Sequence, residues 1–229
     1  MKNKLIILVF IFFSISSNSQ NLKILKDSIL VDSNYLILEE LKINLNDEIV
    51  KTKIYTITQS TYDIFDKPFI GKPEKRIKIK KDTLTKRILE NMLRESNSGF
   101  EHYEIYYDKN NIINLSIGVQ SYGSPWEAKQ YYCFDLNNGK RIGLNLFVNQ
   151  QTLLKKIKSK LKEQDIKLSL KTNDLLNFKI ITNKGITGID FSIFDTENYR
   201  NSGYEEYIVH FNLKDIKSHI LPIYYQRFN

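Results

Sequence analysis

The hydrophobic pattern along this chain changes period several times, and each change marks a predicted element. Between His102 and Leu136, apolar and polar residues alternate in three runs, His102–Tyr107, Ile112–Gln120 and Lys129–Leu136, which predicts successive antiparallel strands. The turn Asp108–Asn111 separates the first two, and a break at Ser121–Glu127 separates the next. Asn137, Asn138 and Gly139 readily adopt left-handed backbone, so Arg141–Leu146 is expected to return as a hairpin arm. The period then lengthens: Leu153, Leu154, Ile157 and Leu161 recur at helical spacing within Gln151–Gln164, with lysines facing outward. Strands are expected again at Asn177–Thr182 and Ile186–Phe194, around the turn Asn183, Lys184, Gly185, and at Tyr204–Asn212. A short helix over Leu213–Ile220 should end at Pro222, leaving the aromatic tail Ile223–Phe228 to dock on the body.

In the N-terminal half, Leu36–Leu45 and Ile49–Thr58 show mixed alternation and read as paired strands joined by the turn-prone Asn46 and Asp47. Asp63–Glu74 holds Pro68, Gly71 and Pro73, which interrupt both periodicities and suggest a loop or the joint between two lobes. A third strand is expected at Arg76–Lys80. A helix should follow, capped by Asp82, with Leu84, Ile88, Leu89, Met92 and Leu93 on one face, ending before Gly99. Strands interleaved with helices, without repeated parallel crossovers, predict an α+β fold: an antiparallel sheet with two main helices packed on one side.

Lys2 and Lys4 precede nine uninterrupted apolar residues, Leu5–Phe13, and the small residues Ser17 and Ser19 stand before Gln20. This is the pattern of a signal peptide over residues 1–19, placing the protein in the periplasm or outside the cell. Nine residues span only ~14 Å as a helix, against roughly 30 Å of bilayer core, so no transmembrane anchor is expected. Residues 20–229 then form a single domain or two lobes, about 20–70 and 71–229. Taking Lys2 and Lys4 from the 34 basic residues leaves 32 against 26 acidic ones, a moderately basic mature chain. Export argues against nucleic acid as partner, although anionic wall polymers and acidic lipid headgroups share its electrostatics. A strongly basic protein partner would require a locally acidic contact face. The one cysteine, Cys133, allows no internal disulfide and reads as a buried small hydrophobe.

Gln120–Phe147 combines an aromatic strand, the Ser-Tyr-Gly-Ser-Pro break and the run Tyr-Tyr-Cys-Phe-Asp-Leu-Asn-Asn-Gly-Lys-Arg-Ile-Gly-Leu-Asn-Leu-Phe. This resembles the extracytoplasmic domain of unknown function shared by RsiV-type anti-sigma factors and PdaC-type polysaccharide deacetylases. The resemblance continues through the following helix, the Asn-Phe-Lys-Ile-Ile strand, Lys184-Gly185-Ile186 and the Phe-Asn-Leu-Lys-Asp-Ile run before Leu221-Pro222, covering roughly Leu36 to Tyr224. It implies a free-standing sensory or binding domain, with lysozyme or wall material as the ligand class. Family members often carry Gly-Gly-Ala-His-Pro at the break. Here Tyr122-Gly123-Ser124-Pro125-Trp126-Glu127-Ala128 stands without a histidine, so no role of that histidine carries over.

Catalytic patterns are sparse. His102, His210 and His219 lack partners at zinc-ligand spacing, so neither a metal site nor a cofactor is expected. No Gly-x-Ser-x-Gly elbow or phosphate-binding glycine loop occurs; Ser159 and Lys162 form Ser-x-x-Lys without its companion motifs. Glu101 with Glu104, and Glu205 with Glu206, are oddly spaced and fall on opposite strand faces. No catalytic residue is therefore assigned. Aromatic groups are the better lead: Tyr122, Trp126 and Tyr131 around the Gly-Ser-Pro break, and Tyr199, Arg200 and Tyr204 in a second cluster. The expectation is a non-enzymatic binding or sensor domain for a cell-wall fragment or an envelope-associated protein such as a lysozyme-like hydrolase. The alternative is a wall hydrolase or esterase with an unrecognised active site.

Overall fold

The computed structural model describes residues 21–31, 33–60, 71–90, 99–121, 127–200 and 203–228; the expected signal peptide lies outside them. The fold is α+β with antiparallel sheets, as expected. The strands form three sheets, and the helices are shared among them.

The first sheet is the hairpin β1 (Leu22–Val31) and β2 (Asn34–Ile43). The partner expected for β2, Ile49–Thr58, is instead helix α1 (Glu48–Thr58). Asp47 begins that helix, its carboxylate accepting from the Ile49 and Val50 backbone N–H groups at 2.9 and 3.0 Å. Val50, Ile54 and Thr58 are buried at four-residue spacing, the helical signal hidden within the alternation. Arg76–Lys80, expected as a strand, lies inside helix α2 (Pro73–Leu89), and Asp82 falls mid-helix rather than at its start. Pro73 opens α2, since the missing N–H costs nothing in a first turn. Met92 and Leu93 lie outside the described residues.

The second sheet has the order β3 (Gly99–Lys109), β4 (Ile112–Ser121), β5 (Glu127–Asp135) and the two-residue β6 (Lys140–Arg141). Its three long strands follow the alternation read from sequence, but the arm expected over Arg141–Leu146 turns into a 3-10 helix at Gly143–Leu146. One face carries Tyr103, Ile113, Leu115, Ile117, Tyr132 and Phe134, packed with α1 and the near end of the hairpin.

The third sheet is β7 (Phe178–Asn183), β8 (Ile186–Arg200) and β9 (Gly203–Asn212). Helix α3 (Gln150–Lys162) covers one face, burying Leu153, Leu154, Ile157 and Leu161 against Ile180, Ile189, Phe191, Val209 and Phe211. Leu213–His219 is a 3-10 helix, and Pro222 does not end it but opens a further helix, α4 (Pro222–Phe228), again from the first-turn position. Phe228 is buried and meets Tyr107 edge-on at 5.8 Å.

The free edge of β7 abuts the second face of the β3–β6 sheet through Asn114, which is fully buried on the central strand β4. Its Oδ1 accepts from Ile180 N–H at 2.6 Å, and its Nδ2 donates to the Tyr132 and Phe178 carbonyls at 2.9 and 3.2 Å. One side chain thus supplies an edge strand with the partners another strand would have offered. On one side of this junction Tyr107, Ile112 and Cys133 join the apolar core under α3 and α4. On the other side the same face turns polar.

Candidate functional site

That polar corner is built from strands distant in sequence. Ser116 on β4 pairs with Glu104 on β3 and Tyr131 on β5, so the three form one row across the sheet. A bulge between Ile105 and Tyr107 inserts Tyr106 beside them. From the third sheet, Lys179, Ser192 and Glu206 occupy positions alternating with the core residues of their strands, so they face the corner rather than α3.

The Tyr106 hydroxyl lies 2.6 Å from Glu104 Oε2 and 2.7 Å from Ser116 Oγ. The Tyr131 hydroxyl lies 3.1 Å from Ser192 Oγ and 3.3 Å from Glu206 Oε1. The two rings stack with centroids 6.3 Å apart and planes 26° apart. Lys179 Nζ sits 5.4 and 5.7 Å from these centroids and 3.9 Å from Glu206 Oε1, a cation held by two π faces and a carboxylate. Lys129 Nζ lies 2.9 Å from Glu104 and 3.6 Å from Glu127. Glu127 folds back over Gly118, where a Cβ would collide with its carboxylate.

Burial pushes both tyrosine hydroxyls well above their ordinary value, and the acceptors Glu104 and Glu206 reinforce the shift. Burial alone would raise Glu104, but the Tyr106 hydroxyl and Lys129 outweigh it and hold the carboxyl below its usual range. Lys129 is held above its ordinary value because Glu104, Glu127 and Glu206 outweigh its burial. The corner is thus equipped with tyrosine donors and fixed ionised groups, a chemistry of recognition. At the far end of the β7–β9 face, His210 Nδ1 lies 2.7 Å from Asp190, and Nε2 lies 3.4 Å from the Asn212 amide oxygen. Among the described residues, no group of three or more His, Cys, Asp or Glu side chains could hold a metal. Burial drives the Cys133 thiol far up, as suits a packing residue.

A second charged cluster joins α2 to the sheets. Arg76 and Lys80, one turn apart, are buried against Glu40 on β2 and Glu101 on β3. Arg76 Nε lies 2.9 Å from Glu40, Arg76 Nη2 3.1 Å from Glu101, and Lys80 pairs with both carboxylates. Neighbouring Glu39 accepts from the Tyr103 N–H at 2.9 Å. Burial raises the Glu40 carboxyl; for Arg76 the two carboxylates outweigh burial and raise it further.

Of the residues singled out from sequence, Tyr131 lies in the polar corner but is buried beneath it rather than displayed. Tyr122 and Trp126 lie outside the described residues. Tyr199 and Arg200 end β8 and pair with Tyr204 and Gly203 across the β8–β9 hairpin. Glu101 and Glu104 occupy opposite faces, as their spacing implied: Glu101 meets Arg76 and Glu104 meets Lys129. Tyr106, Lys179, Glu206 and Asn114 were not legible as site residues, because each acquires its role from strands 10 to 75 positions away. The buried alternation of Arg76 and Lys80 with isoleucines gave no local warning either. No family model matches this chain, and no curated protein matches it in sequence.

Proposed function

We propose that this chain is an exported, non-enzymatic binding module whose ligand is an envelope-associated protein with a basic surface, engaged at the corner around Tyr106. The observation that carries this reading is local charge. Glu104, Glu127 and Glu206 gather around Lys129 and Lys179 on a chain whose formal charge is +8. A half-buried tyrosine beside such groups offers apolar area and a hydroxyl together, the combination common at energetic centres of interfaces. The resemblance of Gln120–Phe147 to the RsiV-type extracytoplasmic domain points the same way. Tyr122 and Trp126, adjoining Glu127 in sequence, and Tyr199, Arg200 and Tyr204 are proposed as further contacts.

The test is calorimetric titration of the protein with a purified lysozyme and, separately, with soluble wall fragments. Tyr106→Ala should weaken protein binding by about 2 kcal/mol, some thirtyfold. The exposed Glu206→Gln should weaken it less and reduce its salt dependence. Equal affinity for parent and both variants would refute the assignment of the site; saturable binding of wall fragments alone would move the ligand class to glycan. Turnover of wall polymer would replace binding with hydrolysis.

A further inference from the structure

Lys179 stands in the Tyr106 corner as a cation of the chain's own. The β7 register places it on the face of the third sheet opposite α3, since its neighbours Phe178 and Ile180 point into the core. From there its Nζ lies 5.4 and 5.7 Å from the Tyr106 and Tyr131 ring centres and 3.9 Å from Glu206 Oε1. The side chain is only 20% exposed, so it plugs the corner over Tyr131 rather than reaching into solvent.

Among the described residues, no hydrogen bond within 3.5 Å fixes this ammonium. Other cations lying over rings are anchored: Lys80, Arg141, Lys160 and Arg227 each donate to a carbonyl or carboxylate, at 2.6, 3.1, 2.6 and 2.8 Å. Lys217 over Tyr225 is unanchored too, but it meets one ring and, among the described residues, no carboxylate within 4.0 Å. Glu206 is only half engaged: Oε1 accepts from the Tyr131 hydroxyl at 3.3 Å, and Oε2 accepts no hydrogen bond among the described residues. Three carboxylates, Glu104, Glu127 and Glu206, face two lysines, Lys129 and Lys179, so the corner carries one negative charge in excess, and two once Lys179 leaves.

We infer that Lys179 is an internal stand-in, and that the cage of Tyr106, Tyr131 and Glu206 receives an arginine side chain of the protein partner, which displaces it. An ammonium is a point charge and meets Glu206 only at 3.9 Å. A planar guanidinium lies flat on a tyrosine ring and donates in parallel to both oxygens of a carboxylate, one of which is open here. On its four-carbon stem the displaced Lys179 head swings into water, so one cation replaces another and no buried charge is left unpaired. Because the lysine must leave first, the parent protein binds the guanidinium more weakly than an emptied cage does. That the entering group belongs to a protein rests on the corner being the partner site proposed above; displacement of Lys179 is measurable without that partner.

The test is NMR titration of the purified protein with Nα-acetylarginine amide, following the Tyr106 and Tyr131 ring signals, with the uncharged Nα-acetylcitrulline amide as control. Lys179→Ala empties the cage and should bind the arginine amide about tenfold more tightly than the parent. Lys179→Met loses the same charge but keeps the cage filled, and should gain little. Thermal unfolding of each variant separates a binding effect from a folding one. In the parent, where no variant has to fold, saturating arginine amide should move the Lys179 ε-methylene signal from its ring-shifted position to that of a free lysine, and a purified lysozyme should do the same. Equal gains in the two variants, citrulline amide binding as tightly as arginine amide, or a Lys179 signal unmoved at saturation would overturn the inference. Lysozyme binding at the corner with Lys179 still in place would overturn the displacement and leave the protein-binding reading standing. Displacement by arginine amide in a protein that binds no lysozyme would support the cage and count against that reading.

Discussion

Asn114 is the fully buried polar side chain whose amide bonds the free edge of β7 to the β3–β6 sheet. In Asn114→Ala the fully buried Ile180 N–H loses its acceptor at 2.6 Å, and the Phe178 and Tyr132 carbonyls lose a shared donor at 3.2 and 2.9 Å. A stranded buried N–H costs ~1–3 kcal/mol, under-satisfied carbonyls rather less, and a small cavity adds to both. The expected loss is about 3–5 kcal/mol, a large share of the stability of an ordinary domain. Asn114→Leu should recover the cavity contribution but none of the hydrogen bonding, leaving a loss of about 2–4 kcal/mol. Asn114→Asp keeps an acceptor for Ile180 but points a buried carboxylate at two carbonyl oxygens. Its folded pKa must therefore rise above its unfolded value, so its stability contribution is fully present below the unfolded pKa and is lost as pH rises through the folded pKa. Urea unfolding of the four proteins, repeated at acid and neutral pH for the aspartate variant, measures all of this. A loss below about 1 kcal/mol for Asn114→Ala, or an aspartate variant insensitive to pH, would refute the assignment of the junction to this amide.

Further outcomes follow from the other buried polar contacts. Arg227 grips Asp135 with two bonds of 2.8 and 2.9 Å and also donates to the Asn110 and Asn111 carbonyls, so Arg227→Met should cost on the order of 2 kcal/mol and free α4, visible as faster amide exchange there. Asp135 is held below its ordinary pKa because Arg227 outweighs burial, so this contribution is present above the unfolded carboxyl pKa and lost as pH falls through the lowered one; a pH-independent cost would contradict the pairing. Arg76→Met leaves two buried carboxylates to Lys80 and should cost about 3–5 kcal/mol, whereas replacing Arg76, Lys80, Glu40 and Glu101 together by apolar residues of similar volume should recover most of it. A quadruple variant no more stable than Arg76→Met would show that the cluster stabilises the fold. Cys133, buried with its thiol pushed far up, should react with a disulfide reagent only as fast as the protein unfolds; rapid labelling in native buffer would contradict its place in the core.

The segments with an unmixed period were legible. α3 buries Leu153, Leu154, Ile157 and Leu161, so its period survives in the packing, while β3, β4 and β5 lie where the alternation places them although β4 is buried on both faces from Ile112 to Gly118 and β5 from Tyr131 to Asp135. The errors fall where polar groups are buried. Arg76–Lys80 reads as a strand, and a charged residue usually marks solvent; here Arg76 and Lys80 mark the buried side of α2, neutralised by carboxylates from two other elements. The stretch Ile49–Thr58 mixes β-branched residues with lysines, and its helical state is decided by the Asp47 cap and by packing against β4 and β5. β1, whose residues Leu22–Val31 carry only a weak alternation, acquires its state by pairing along its full length with β2.

By itself the sequence determined the α+β class, the antiparallel meander and the amphipathic α3 with its lysines, since these depend on side chains a few positions apart and therefore on local geometry. The tertiary structure decided everything that depends on separation in space rather than along the chain. It chose which charges are buried, set Tyr131 beneath Tyr106 and Lys179 rather than at the surface, and made Asn114 the join between two sheets. Burial and hydrogen-bond partnership are properties of an environment assembled from distant residues, and no period in the sequence encodes which strand will supply the partner.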